Sequence, residues 1–509
     1  MRNLLCFVFI SAILCSQAQR TDYIWLSGYE SYGGYDSTFH YRFGISEFNF
    51  NNQSVTVTYD SLGIGFSGTD AEISDNTGSL LFSTNGVSIR NSLDQIIKNG
   101  DSLNNGYYLN HNNYWYLEGN PLYMLLQALP NPRVSDTYDL FYVFIDTDFM
   151  FNPIGKQLQQ TQVFINSDHN GDSVNFKNKA IYDTTLNICL AAVKHGNGRD
   201  WWICTMDEGS NCYNLMLYDG SGTLKRHTQQ CMGYTYYRPQ TSFMRFSPNG
   251  QWMMSVDNEQ GLVDFFVFDR CNGELSLKEQ VYLPEVADSQ QLYLTTGGEY
   301  SPGSRYAYLC SNARLYQFDM EADSIGLSKT IVGTYHPANG PAPLSYNYAQ
   351  LAPDGKIYIC SGNTTYYVAI VNNPDSAGIR CDFQDPGMQV PSFISDLPYF
   401  PNYRLGSLYG SSCDTLAGLQ TVSTEQTLKV FPNPAIDYAI IDYGFIDWIM
   451  GANVSMEVIN AIGQEVYIQP LPMYSGFQKL DVSPFASGMY TVFIKQNNGV
   501  IASQKFVKQ

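Results

Sequence analysis

Positive charge is scarce in this chain. Its 509 residues carry 28 Lys and Arg against 47 Asp and Glu, a formal charge of −19. Nucleic-acid phosphates are held by clusters of Lys and Arg, so nucleic acid is excluded as a partner. Beyond the first residues no apolar run approaches the roughly 20 that a spanning helix needs, so no transmembrane segment is expected. Helical periodicity is nearly absent too, and NSLDQIIK at 91–98 is its best instance. The six histidines, at 40, 111, 169, 195, 227 and 336, never pair at metal-ligand spacing, and neither CxxC nor GxSxG occurs. The sequence therefore nominates no metal, no cofactor and no catalytic residue, while leaving an enzyme open.

What is abundant is Tyr (39) and Gly (42), which suits twisted strands joined by tight turns. The start, MRNLLCFVFISAILCSQAQR, has a basic end, a short apolar run and small residues. It reads as a secretory signal over 1–18, cleaved between Ala18 and Gln19. Of eleven cysteines, nine remain after that cut, so export permits disulfides but leaves at least one thiol unpaired. The candidate pairs are Cys204 with Cys212 and Cys381 with Cys413, although sequence does not fix connectivity. Cys310 and Cys360 end apolar strands and are expected as buried thiols.

A fragment recurs as FSPNGQWMMSV at 246–256, YSPGSRYAYLC at 300–310 and LAPDGKIYIC at 351–360. Each is a strand end, a Pro-containing turn and a returning apolar strand. Pro presets φ in the turn and Gly accepts the positive φ that closes it. With the strands that follow, one repeat is a four-stranded sheet of about fifty residues, the period of a propeller blade. The fold class is all-β: a propeller of seven blades (six to eight) over 19–410, a linker at 411–427 and a β-sandwich over 428–509. A sandwich whose hairpins share turn chemistry is the alternative for the first domain.

Two motifs are set aside. Gly63 to Gly68 spell GxGxxG, but strand-like segments flank it and no acid follows at dinucleotide spacing, so it reads as a loop. Asp168 to Asp172 begin like a calcium loop, yet Ser173 and Lys179 stand where Gly and Glu are needed, so it reads as a surface turn.

The segment LKVFPNPAIDYAIID, with SMEVINAIGQEV and the run ending GMYTVFIKQNNGVIASQKFVKQ, resembles the type A C-terminal sorting domain of type IX secretion cargo. Phe431, Pro432, Asn433, Pro434, Gly463, Gln464, Gly488, Tyr490, Lys505 and Val507 sit on that pattern. The resemblance implies an immunoglobulin-like sandwich and two partners, the outer-membrane translocon and a sortase-like protease. It also implies a product that is secreted or attached to the cell surface. The main body resembles WD40-like propeller regions exported by the same system, through AEISDNTGSLLFSTNGVSIRNSLDQIIKNG, NPLYMLLQALPNPRVSDTYDLFYVFID and LPYFPNYRLG. That resemblance carries fold and route but no reaction.

Two functions remain. One is a binding, adhesion or scaffolding module for a glycan or protein, with Tyr107, Tyr108, Trp115 and Tyr116, then Tyr234, Tyr236 and Tyr237, as candidate contacts. The other is a hydrolase or lyase acting on extracellular polysaccharide through carboxylates at the propeller mouth. Carboxylates with perturbed pKa in the channel would favour the second, and a Tyr-rich or apolar channel the first.

Overall fold

The computed structural model describes residues 20–29, 35–36, 41–52, 54–107, 119–148, 152–222, 224–235, 242–257, 260–283, 297–311, 314–334, 346–361, 364–408, 411, 413, 428–442, 454–461, 463–471, 477–496 and 499–509. The proposed signal cleavage at Ala18 and Gln19 lies outside them, as does most of the proposed linker. The chain divides into two compact units, one spanning Gln17–Ser411 and the other containing Ser412–Gln509.

The larger unit is a propeller of seven blade sheets, each built from strands consecutive in sequence except blade 1, whose first two strands are separated by a small pairing of Tyr35–Asp36 with Tyr41–Arg42. Blades 1 and 2 are three-stranded: Ile24–Tyr29, Gly44–Asn49 and Thr56–Asp60, then Ala71–Ser74, Leu80–Thr84 and Ile89–Asn91. Blades 3 to 7 have four strands each, and their innermost strands are Leu126–Pro130, Ala191–Lys194, Ser242–Phe246, Gly297–Tyr300 and Tyr346–Leu351. Every pairing between named strands is antiparallel, and side chains from adjacent sheets interlock to form the core. Trp25, for example, is fully buried, with its ring centre 4.6 Å from Phe50, 5.8 Å from Tyr358 and 6.2 Å from Phe400. Each such ring contributes roughly 1.5–3 kcal/mol by leaving water.

The repeated turns join the innermost strand to the second in blades 5, 6 and 7. In blade 5 the Gly250 N–H donates to the Ser247 carbonyl (2.8 Å), and the Ser247 hydroxyl accepts from the Trp252 N–H (3.0 Å). Gly250 and Gly355 take positive φ of 68° and 80°, as the turn requires. In blade 6 it is Ser304, at φ 63°, that fills this position, and not the neighbouring Gly303. Ser304 is held there by its N–H bond to the Ser301 carbonyl (2.8 Å).

The segment expected to show helical period, 91–98, is a turn. The Asn91 side-chain oxygen accepts from the N–H groups of Leu93 and Gln95, each at 3.1 Å, and Asp94 adopts φ 56°. That local capping competes with a helix and wins.

In the smaller unit, one sheet joins Lys429–Phe431, Tyr438–Asp442 and Phe477–Asp481. The other runs Glu465–Pro470, Val454–Asn460, Gly488–Gln496, Gly499–Lys508. Ala439, Ile441 and Leu480 of the first meet Met456, Val458, Val492, Ile494 and Phe506 of the second in one core.

The cysteines pair otherwise than expected. Cys212 is bonded to Cys231, its direct partner across antiparallel strands, while Cys204 points into the core as a free thiol. Cys413 is disulfide-bonded, as is Cys271, but Cys381 is a free buried thiol. Cys310 and Cys360 are also buried and free.

Candidate functional site

The innermost strands place an isolated polar side chain in an otherwise apolar run on six blades: Ser27, Glu72, Gln127, Arg245, Glu299 and Gln350. All six are buried. Their partners come largely from residues 396–408, a strap that leaves blade 7 and crosses the channel. The Ser27 hydroxyl lies 2.8 Å from the Asp396 carbonyl oxygen and 3.1 Å from its Oδ1. Gln127 Nε2 donates to the Tyr399 carbonyl (3.2 Å), and Arg245 Nη1 to the Phe400 carbonyl (3.0 Å). The Phe400 N–H in turn donates to Gln350 Oε1 (3.1 Å). Farther along, Asn402 reaches the Pro248 carbonyl (2.8 Å), Tyr403 reaches that of Ala128 (2.8 Å), and Arg404 pairs with Asp22. The Leu408 N–H ends the crossing on the Gly196 carbonyl (2.7 Å) in blade 4.

This crossing creates two electrostatic settings. In the first, Arg245 faces Glu299 at 3.5 Å and also donates to the Ala349 carbonyl (3.1 Å), so the buried pair is extensively hydrogen-bonded. Burial still raises the Glu299 pKa, with Arg245 opposing it. In the second, Asp70, Glu72 and Asp396 form a group of enclosed carboxyls. Burial raises each pKa well above the carboxylate range, and each is raised further by another member of the group. Among the described residues, Asp70 Oδ2, both Glu72 oxygens and Asp396 Oδ2 have no hydrogen-bond partner. Both burial and the neighbouring acids favour the protonated form of each group. Among the described residues no His, Cys, Asp and Glu group has the arrangement of a metal site.

Below the strap, on the face of the repeated turns, a cavity of about 250 Å³ remains. Pro248, Pro302, Pro353, Phe400, Pro401 and Arg404 are among its lining residues.

Of the aromatic candidates, the two described, Tyr107 and Tyr234, are not among the lining residues of this cavity. Tyr107 is 45% exposed. Tyr234 donates its hydroxyl to Gln260 (2.6 Å) and its N–H to Asp264 (2.8 Å), which anchors it to blade 5. Tyr108, Trp115, Tyr116, Tyr236 and Tyr237 lie outside the described residues. The residues that matter most in the channel were missed. Their signal was a single charged or amide residue within a buried apolar strand, as in AEIS, SFMRF and GGEY.

The sorting pattern in the smaller unit becomes a physical clasp. Asn433 Oδ1 accepts the Val507 N–H (2.9 Å), and the Ala435 N–H donates to the Val507 carbonyl (2.8 Å). The Pro-Asn-Pro opening is thereby tied to the strand Gly499–Lys508, some seventy residues later in the chain. Tyr490 stacks on Phe506 at 5.6 Å and donates to the Ala486 carbonyl (2.7 Å). Gly463 takes φ 82° in the turn that also holds Gln464, whose N–H donates to Asn460 Oδ1 (2.9 Å). Phe431 is 46% and Val507 40% exposed, so both lie open on the surface of this unit. Residues 429–509 match the family model of the secretion system C-terminal sorting domain.

These residues are a type IX sorting tail. The chain is thus a propeller cargo of type IX export, recognised by that machinery and destined for the cell surface or for release. No helix among the described residues is long and apolar enough to cross a membrane. No curated protein matches the chain. Several solved propeller-like structures resemble it at low identity. A Lactobacillus plantarum protein is 11% identical over 74% of this chain and 98% of its own, with a TM-score of 0.42. The Pseudomonas aeruginosa periplasmic gluconolactonase is 11% identical over 74% and 99%, with a TM-score of 0.40. A β-propeller domain from Myceliophteria thermophila is 9% identical over 67% and 94%, with a TM-score of 0.28. These similarities are too low to speak of ligand or reaction.

Proposed function

We propose that the propeller is a non-catalytic binding module, adhesive or scaffolding in role, presented outside the cell for a protein or glycan ligand. The observation that carries this reading is the strap. It occupies the channel where converging carboxylates would meet a substrate, and the three acids with raised pKa, Asp70, Glu72 and the strap's own Asp396, are all buried. General acid and base groups must reach the substrate, directly or through one water, and an enclosed carboxyl meets neither condition. The candidate ligand contacts are those of the Tyr107 to Tyr116 stretch, whose one described member, Tyr107, is exposed. The tail's partners are the translocon and a sortase-like protease, with cleavage in the polar stretch before 428.

The test uses the mature exported protein on a glycan array, on immobilised surface proteins, and in a polysaccharide-degradation screen. Binding without product is expected. Release of sugar products that disappears in Glu72→Gln or Asp396→Asn would instead establish the hydrolase or lyase reading.

A further inference from the structure

A second cavity, of about 330 Å³, opens between blades 1 and 2, the two blades with three strands where the others have four. Ile24, Leu26, Leu62 and Leu80 give it an apolar wall. Three carboxylates line it, and with Asp94 paired to Arg90 two are left, Glu47 and Asp60. Glu47 is opposite Leu26 in one strand pairing and opposite Thr58 in the next, while Asp60 is opposite Ile45. Glu47 and Asp60 are therefore diagonal neighbours on one face of blade 1, close enough to interact. Burial, then the charge of Asp60, raises the Glu47 pKa. Like charges placed together in a half-buried cleft are unfavourable unless a cation joins them.

Among the described residues no lysine or arginine lines the cleft, and no ion pair involves Glu47 or Asp60. The arginines at its edges are engaged by other residues of its lining, not by Glu47 or Asp60. Arg90 pairs with Asp94 at 2.9 Å, and Arg20 donates to Asn51 (3.2 Å) and the Thr77 carbonyl (3.1 Å). A further polar group faces the same space. Ser83 is only 3% exposed and lines the cavity, and its hydroxyl has no hydrogen-bond partner among the described residues. None of the described lining residues offers an aromatic ring for a sugar face to stack on.

We propose that this cleft binds the side chain of a lysine or arginine presented by a protein partner. The alkyl stem lies along the leucine wall, as such stems do on apolar surface. The charged head sits between Glu47 and Asp60, with Ser83 as a further acceptor. This rests on the reading of the propeller as a binding module and names the kind of partner that this cleft takes.

The experiment is a fluorescence-anisotropy titration of the full mature protein with a labelled peptide carrying one lysine among glycines and serines. The same peptide with that lysine acetylated is the second probe. The lysine peptide should bind at least about tenfold more tightly than its acetylated form. Glu47→Gln and Asp60→Asn should each weaken it by about fivefold or more, and Ser83→Ala by less. Equal affinity for the two peptides overturns the proposal, and so does unchanged binding by a folded Glu47→Gln, Asp60→Asn double variant. Should that variant not fold, the acetylated-peptide comparison on the unaltered protein decides alone. Glycan or surface-protein binding that persists alongside a negative peptide result would leave the wider reading standing.

Discussion

The Arg245 guanidinium lies over the Tyr399 ring, 4.1 Å from its centre, so blade 5 grips the strap by charge and by π-face together. Arg245→Met removes that grip and leaves Glu299 buried without its cation. Loss of one partner of a buried pair costs about 3–5 kcal/mol. The urea midpoint of the propeller should fall accordingly, and adding Glu299→Gln should restore part of it. A single variant as stable as the parent would show that the strap does not depend on this pair.

Asp70, Glu72 and Asp396 set a pH dependence whose sign is fixed. Their folded pKa values stand above the unfolded ones, so near neutrality the folded state binds more protons. Stability should therefore fall as pH climbs from about 4 upward through the raised values. Thermal midpoints between pH 5 and pH 8 should decline, and Asp396→Asn should flatten the decline. A slope unaltered by that substitution would mean the group is not the cause.

The clasp at Asn433 can be broken without disturbing the core. Asn433→Ala strips the Val507 N–H of its acceptor, a loss of about 1 kcal/mol for one hydrogen bond. Immunoblots of the cell exterior and the periplasm should show partial retention in the periplasm. Deleting 429–509 should leave essentially all of the protein there.

Five thiols, those of Cys189, Cys204, Cys310, Cys360 and Cys381, are buried, and burial pushes the Cys189 pKa up to about 12. Thiolate is the reactive form, so these five should resist alkylation until the chain unfolds. Mass spectrometry after native and denatured labelling measures this. Replacing Cys212 and Cys231 together by Ser should cost about 2–4 kcal/mol.

The repeating architecture was legible because the turns in blades 5 to 7 need Pro and a residue tolerant of positive φ, and such residues are visible in sequence. Blades 1 to 4 escaped detailed description because they lack that repeated fragment. Cys231 was missed as a partner because LKRHTQQC is polar, with none of the apolar alternation that marks a strand, so its pairing with Cys212–Tyr218 was hidden. The strap was quoted from sequence only as part of a resemblance. Its contacts join residues more than a hundred positions apart, often through backbone carbonyls, and no local pattern announces them. The Glu47 and Asp60 cleft was likewise invisible, since it follows from register and not from spacing.

Residues 396–408 follow every blade in the chain, yet they hydrogen-bond to blades 1, 3, 4, 5 and 7. They can find those partners only after the ring has assembled around them. Docking of this peptide is thus a test of completeness: a copy with a missing or misfolded blade leaves it dangling, open to any protease that patrols the envelope.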